Sequence, residues 1–144
     1  MKTINALVLP ALLANGVLAG FSGFMGNCKF MAFSRGKDDK NPAIIYECPL
    51  KDGAEWPHIS CSMVQLNDCF ANRGGKLVIS ERGNFGHSCE NCRYDPDNGV
   101  LDCQCGDGAG GKKDTYIWIG ESVRTAAYGK VHCYGIIPGA NCNF

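Results

Sequence analysis

The chain has 144 residues, and its 14 Lys and Arg match 14 Asp and Glu to give a formal charge of zero. That balance, with no basic stripe, argues against a nucleic-acid partner, and the length restricts the chain to about one small domain. Ten cysteines in so short a chain are more informative than the charge.

At the start, Lys2 precedes the apolar run "ALVLPALLA" and then "GVLA", which ends on Ala19 with Val17 two residues before it. Charge, apolar core and small-residue end follow the order of a secretory signal peptide, residues 1–19, cleaved after Ala19. Gly16, Gly20 and Pro10 interrupt the run as a buried helix, and it is too short to span a membrane. Removing 19 residues from 144 leaves 125, with no second long apolar run, so a secreted, extracellular protein without a membrane span is expected. Every cysteine lies beyond the leader: Cys28, Cys48, Cys61, Cys69, Cys89, Cys92, Cys103, Cys105, Cys133 and Cys142. An even number in a secreted chain implies a disulfide framework, each bridge contributing about 2–4 kcal/mol to a core of limited size. Ten cysteines allow roughly nine hundred pairings, so their number alone leaves the pairing open.

The elements that follow read as short strands. Ser62–Leu66 alternates with period two, and Thr115–Ile119 is apolar on both faces. Between Arg93-Tyr94 and Val100-Leu101 stands "DPDNG", whose Asn98-Gly99 pair predicts a hairpin turn because both residues tolerate positive φ. Gly-rich stretches such as "CGDGAGGKKD" read as long loops. The most helical piece, Asn67 to Ala71, is one turn long. The expected fold class is all-β and disulfide-rich, with a few single-turn helices.

The stretch "LNDCFANRGGKL" (Leu66–Leu77) has a second copy. "SMVQLNDCFANRGGKLV" aligns with "TYIWIGESVRTAAYGKVH", matching Ser62 with Thr115, Val64 with Ile117, Leu66 with Ile119, Phe70 with Val123, Gly75 with Gly129 and Leu77 with Val131. Upstream, Cys28 matches Cys89 and Cys48 matches Cys105. Order, spacing and residue class agree, so the chain reads as a tandem duplication. In each copy a hairpin closed by Cys28–Cys48 or Cys89–Cys105 leads to a strand ending at Leu66 or Ile119, one helical turn, a Gly turn and a last strand. One copy is too small to bury an adequate core, so the two are expected to pack together and plausibly to exchange strands.

The motifs "S-x-V-x-L-N-x-C-F-x-N-x-x-G-x-L" at Ser62–Leu77 and "F-x-x-S-C" at Phe85–Cys89, with the paired cysteine hairpins, resemble the cyanovirin-N homology (CVNH) family of secreted lectins. The cysteine richness is similar to that of its filamentous-fungal members. The resemblance implies one pseudo-symmetric domain over 24–135, with repeats near 26–80 and 85–135 and a tail at 136–144. It also implies no catalytic activity, no cofactor and binding of mannose-rich glycans or glycoproteins, by a monomer or a strand-swapped dimer. Its carbohydrate-binding residues carry over to Asn72, Gly74, Gly83, Asn84, His87, Ser88 and Asp107. Ala71, Gly74, His87 and Gly108 depart from the family's usual charged residues. The opposite pocket keeps only Lys51, with Thr125, Tyr128 and Pro49 as departures. The chemistry fits a sugar on its own terms, because an Asn amide offers donor and acceptor together and a Gly turn adds backbone donors.

Other chemistries are thinner. Cys89-x-x-Cys92 with Cys103-x-Cys105 has zinc-ligand spacing, but in a secreted chain the bridges Cys89–Cys105 and Cys92–Cys103 are the better use, and no metal is expected. The three histidines, His58, His87 and His132, sit in no nucleophile–base motif. Trp118 lies within a strand pattern and is expected to pack, whereas Trp56, beside Pro57, is the better candidate for exposure. A secreted scaffold that has lost sugar binding and acts on proteins is the alternative.

Overall fold

The computed structural model describes residues 24–49, 59–125 and 129–135. The leader, Lys51, Trp56, His58, Tyr128 and Cys142 lie outside them. After a single α-turn, α1 (Phe24–Asn27), two equivalent units follow one another. The first is an antiparallel sheet of β1 (Lys29–Ser34), β2 (Ala43–Pro49) and β3 (Ile59–Gln65), followed by a helical turn and the hairpin β4 (Phe70–Arg73) and β5 (Lys76–Ile79). The second has the sheet β6 (Cys89–Asp95), β7 (Val100–Gly106) and β8 (Lys112–Trp118), a helical turn, and the short pair β9 (Arg124–Thr125) and β10 (Val131–His132). The fold is all-β, pseudo-symmetric and disulfide-rich.

The two corners share their key hydrogen bonds and buried positions. Leu66 and Ile119 do not end their strands; they open the helical turns Leu66–Asp68 and Ile119–Glu121. Leu66 N–H donates to the Pro42 carbonyl and Ile119 N–H to the Gly99 carbonyl, each at 2.9 Å. These bonds drive both side chains into the core, where each is fully buried. The expected helical turn at Asn67–Ala71 is therefore displaced, and Phe70 and Ala71 already belong to β4. Val64 faces Ile44 across β2–β3 as Ile117 faces Leu101 across β7–β8.

Strands are exchanged between the units within one chain. The Leu77 N–H donates to Thr115 Oγ1 at 3.0 Å, and the Val131 N–H donates to Ser62 Oγ at 2.9 Å. The hairpin of the first unit thus lies on the sheet of the second, and β10 lies on β3. Ser62 and Thr115, aligned with each other in the repeat, supply the two reciprocal hydroxyls. Both are buried, so each satisfies a backbone donor that would otherwise be orphaned. Between the units Phe70 meets Phe85 edge-on at 6.2 Å between ring centroids, each burial contributing about 1.5–3 kcal/mol. Tyr46 of β2 and Tyr94 of β6 share a hydroxyl hydrogen bond of 2.7 Å. Burial raises the pKa of both phenols, so the pair stays neutral and joins the two sheets.

Cys28–Cys48 and Cys89–Cys105 close the two sheet hairpins, and Cys92–Cys103 adds a rung to the second. Cys69–Cys133, 64 residues apart in sequence, ties the corner of the first unit to β10 of the second. Cys61 is disulfide-bonded as well.

Two loop expectations change. The predicted hairpin forms at "DPDNG", with Asp95 paired to Val100, but only Gly99 has positive φ, at 67°, so the turn is not a two-residue Asn-Gly one. The Asp95 carboxylate accepts bonds from Asp97 N–H, Asn98 N–H and Asn98 Nδ2, organising a four-residue loop instead. Those bonds hold the Asp95 pKa below its ordinary value, that from the Asn98 side chain most of all. The Gly-rich stretch is shorter than its composition suggests, since β7 runs to Gly106 and β8 begins at Lys112.

Candidate functional site

The β4–β5 turn is built on Gly74 and Gly75, whose φ values of 61° and 92° lie in the left-handed region. Asn72 fixes this turn to the second unit. Its Oδ1 accepts the Gly75 N–H at 2.8 Å, while its Nδ2 donates to Ser88 Oγ and to the Gly106 carbonyl, both at 2.9 Å. Asn72 therefore acts first as a clamp, with both amide hydrogens committed.

Gly83 and Asn84 lie over the outer side of the hairpin, where Asn84 bridges Ala71. A Cβ at Gly83 would stand 2.4 Å from the Phe70 carbonyl oxygen, so only glycine fits there. Asn84 adopts the left-handed conformation (φ 53°, ψ 37°) and starts the helical turn Phe85–His87. Its side chain is exposed and makes no hydrogen bond within the described residues. The His87 imidazole is also exposed and without a hydrogen-bond partner there.

Asp107 turns inward on its own loop. Its Oδ1 accepts Ala109 N–H at 2.7 Å and Gly111 N–H at 3.0 Å. Those backbone donors, Ala109 first, hold its pKa below the ordinary 3.8.

A groove of about 670 Å³ opens on the far side of Ser88. Its walls are the Asp38–Lys40 segment of the β1–β2 loop, the turn His87–Ser88, and the polar edge carrying Glu90, Asn91 and Gln104. Of the residues predicted for a site, His87 and Ser88 line this groove, Asn72 reaches it through Ser88 and Gly106, and Gly74, Gly83, Asn84 and Asp107 do not border it. The sequence reading missed the β1–β2 loop entirely. It also missed Asn67, the buried residue that ties the two walls together. Asn67 Nδ2 donates to the Lys40 carbonyl at 2.8 Å, and its Oδ1 accepts the Gly86 N–H at 2.8 Å. Its presence in the repeated motif, where Gly120 stands in the second copy, was the available signal.

At the opposite end Thr125 is exposed and Pro49 half-buried. A Cβ at Gly129 would come 2.3 Å from the Pro49 carbonyl oxygen. The Trp118 ring is half-buried and lies over Gly120. The sulfurs of the Cys89, Cys92, Cys103 and Cys105 group are all bridged. No cluster of three or more His, Cys, Asp or Glu among the described residues is placed to hold a metal. No helix among them is long and apolar enough to cross a membrane.

The family model for the CVNH domain matches residues 24–126. The chain belongs to the CVNH family. Solved structures share its fold. The microvirin–mannobiose complex superimposes with a TM-score of 0.58 at 20% identity, covering 83% of this chain and 98% of that one. An NMR structure of GzCVNH from Gibberella zeae gives 0.58 at 17% identity, covering 83% and 99%. A MoCVNH3 variant in complex with (N-GlcNAc)4 gives 0.56 at 16%, covering 74% and 93%. No curated protein matches the chain.

Proposed function

We propose that this CVNH protein is a secreted lectin that recognises mannose-type glycans without catalysis or a cofactor. Its binding unit spans 24–135. The observation that carries the reading is the corner where Asn72, Ser88 and Gly106 are clamped together beside a polar groove, with the exposed, unengaged side chain of His87 on the groove wall and that of Asn84 at the start of the Phe85–His87 turn. Sugar hydroxyls need fixed donors and acceptors close together, and a disulfide-held β scaffold keeps such groups in place before the ligand arrives. Microvirin bound to mannobiose and the MoCVNH3 variant bound to (N-GlcNAc)4 share the fold, which supports a saccharide ligand. Each neutral hydrogen bond nets only about 0.5–1.5 kcal/mol against water, so one shallow site binds weakly and firm attachment to a glycan surface comes from multivalency.

A glycan array followed by NMR titration tests this. Amide shifts at Asn84, His87, Ser88 and Gly106 on adding a mannose oligosaccharide, weakened in Asn84→Ala and His87→Ala, are the expected result. A folded protein that shows none of these shifts with any arrayed glycan refutes the reading.

One observation favours a second reading, a scaffold that binds proteins after losing its sugar site. The Asn72 amide hydrogens and Asp107 Oδ1 are engaged internally, which leaves those side chains less to offer a ligand. A protein partner that no saccharide competes away distinguishes it.

A further inference from the structure

The tip of the β4–β5 hairpin gathers positive charge. Arg73 and Lys76 are direct cross-strand partners flanking the Gly74–Gly75 turn, so their side chains project from the same face. Lys113 of β8 lies against this turn, since a Cβ at Gly75 would be 2.9 Å from Lys113 Cδ. All three cations are exposed. Like charges directly opposite one another destabilise an antiparallel pair, so the arrangement costs the fold something and calls for another explanation. The ion pairs among the described residues lie elsewhere, at Arg35–Asp39, Arg93–Asp102 and Lys112–Glu90. Asp107 feels the charge of Lys113 but keeps Oδ1 on the amides of its own loop.

The cluster is also held in place. Asn72 locks the hairpin from below through Gly75, Ser88 and Gly106. At Gly74 an added Cβ would meet nothing within 4 Å, so the tip is open to solvent. Asn84, bridged to Ala71, belongs to the face that Ala71 shares with Arg73 and Lys76. A guanidinium fork, two ammonium groups and an unengaged amide thus lie on and around one exposed hairpin. The cations suit an anionic oxygen group, and the amide suits the neighbouring hydroxyls.

We propose that this tip binds the acidic group of a saccharide, a sulfate, phosphate ester or uronic carboxylate, and that the glycan recognised is therefore anionic. The proposal rests on the carbohydrate reading above and narrows its ligand class.

The experiment compares matched oligosaccharides, a neutral one and the same scaffold carrying each acidic group, binding to the folded full chain at low and high salt. It is repeated with Arg73→Gln, Lys76→Gln, Lys113→Gln and the triple variant. The acidic ligands should bind at least about tenfold more tightly at low salt, lose about fivefold per cation removed, and weaken as salt rises. Binding of the neutral scaffold should not change among the variants. The triple variant should melt no lower than the parent, because repulsion has been removed. Equal binding of neutral and acidic ligands, or full retention of acidic binding by the triple variant, overturns the proposal and leaves the lectin reading standing. Failure of every saccharide to bind overturns both. Binding to phosphatidylserine vesicles that the triple variant abolishes, without binding of acidic saccharides, overturns it in favour of a membrane-surface patch.

Discussion

The corner after β3 and the corner after β8 make the same backbone turn with different side chains. Both begin with a buried Leu66 or Ile119 whose N–H reaches back to the first unit's Pro42 or the second unit's Gly99. Both receive a strand from the other unit onto a buried hydroxyl, Ser62 or Thr115. They diverge at the next positions. Asn67 gives way to Gly120, Cys69 to Ser122 and Asn72 to Thr125. Where the first corner has a buried amide joining Lys40 to Gly86, the second has glycine beneath the Trp118 ring. The interlock needs only an apolar plug and a hydroxyl, and both copies keep these. The polar pins that shape a site are not required for folding; among the described residues the amide pins Asn67 and Asn72 belong to the first corner, whereas the second has a Lys130 Nζ bond to the Cys61 carbonyl.

The largest test of that division is the bridge that only the first corner makes. Replacing Cys69 and Cys133 together by serine releases a 64-residue separation and should cost about 4 kcal/mol, whereas the double serine variant of Cys92 and Cys103, 11 residues apart, should cost about 3 kcal/mol. Urea denaturation of the two double variants makes the comparison. If the local rung costs more, the units are held together by their packing and not by the long bridge.

Next in size is Asn67→Ala. It removes the amide donor and acceptor of a buried pin, leaving the Gly86 N–H and the Lys40 carbonyl without their partner, and should destabilise by about 2–3 kcal/mol. Amide shifts should concentrate at Lys40–Asn41 and Gly86–Ser88, the two walls of the groove, and spare the second corner. A loss spread evenly over both corners would contradict the assignment of Asn67 to the groove.

The all-β architecture and the duplication were legible because both are carried by side-chain period and by paired residues such as Leu66 and Ile119, Ser62 and Thr115. Hairpin bridges follow from the same alignment, with Cys28 standing to Cys48 as Cys89 stands to Cys105. The site was legible only in part. Asn72 and Ser88 were picked out and do meet, at 2.9 Å. Their partner, however, is the carbonyl of Gly106, a backbone group with no sequence signature. Asp38 and Asp39 reach the groove from a loop distant in sequence, both in the left-handed conformation at φ 59° and 58°, and no local pattern announces that. The hairpin at Asn98-Gly99 forms with a different turn type because the Asp95 carboxylate, through three hydrogen bonds, outweighs the local preference of the dipeptide. Short-range propensity loses where a side chain three residues away supplies a better set of bonds.

The smallest effect sits where the second corner has serine in place of the bridged cysteine. Ser122 Oγ is buried and has no hydrogen-bond partner among the described residues, while its counterpart Cys69 is bonded to Cys133. A buried hydroxyl without a partner has lost its water and gained nothing, so Ser122→Ala removes a desolvated group at little loss of packing. The variant should be neutral or more stable by up to about 1 kcal/mol. Thr115→Ala, in the β8 strand that leads into the same corner, should instead destabilise by about 1–2 kcal/mol because the Leu77 N–H then loses its acceptor. Measured side by side, the two alanine variants separate a hydroxyl that interlocks the units from one that duplication left behind. A Ser122→Ala variant as damaging as Thr115→Ala would mean that the Ser122 hydroxyl pins the second corner as Asn67 pins the first, and the contrast between the two corners would fail.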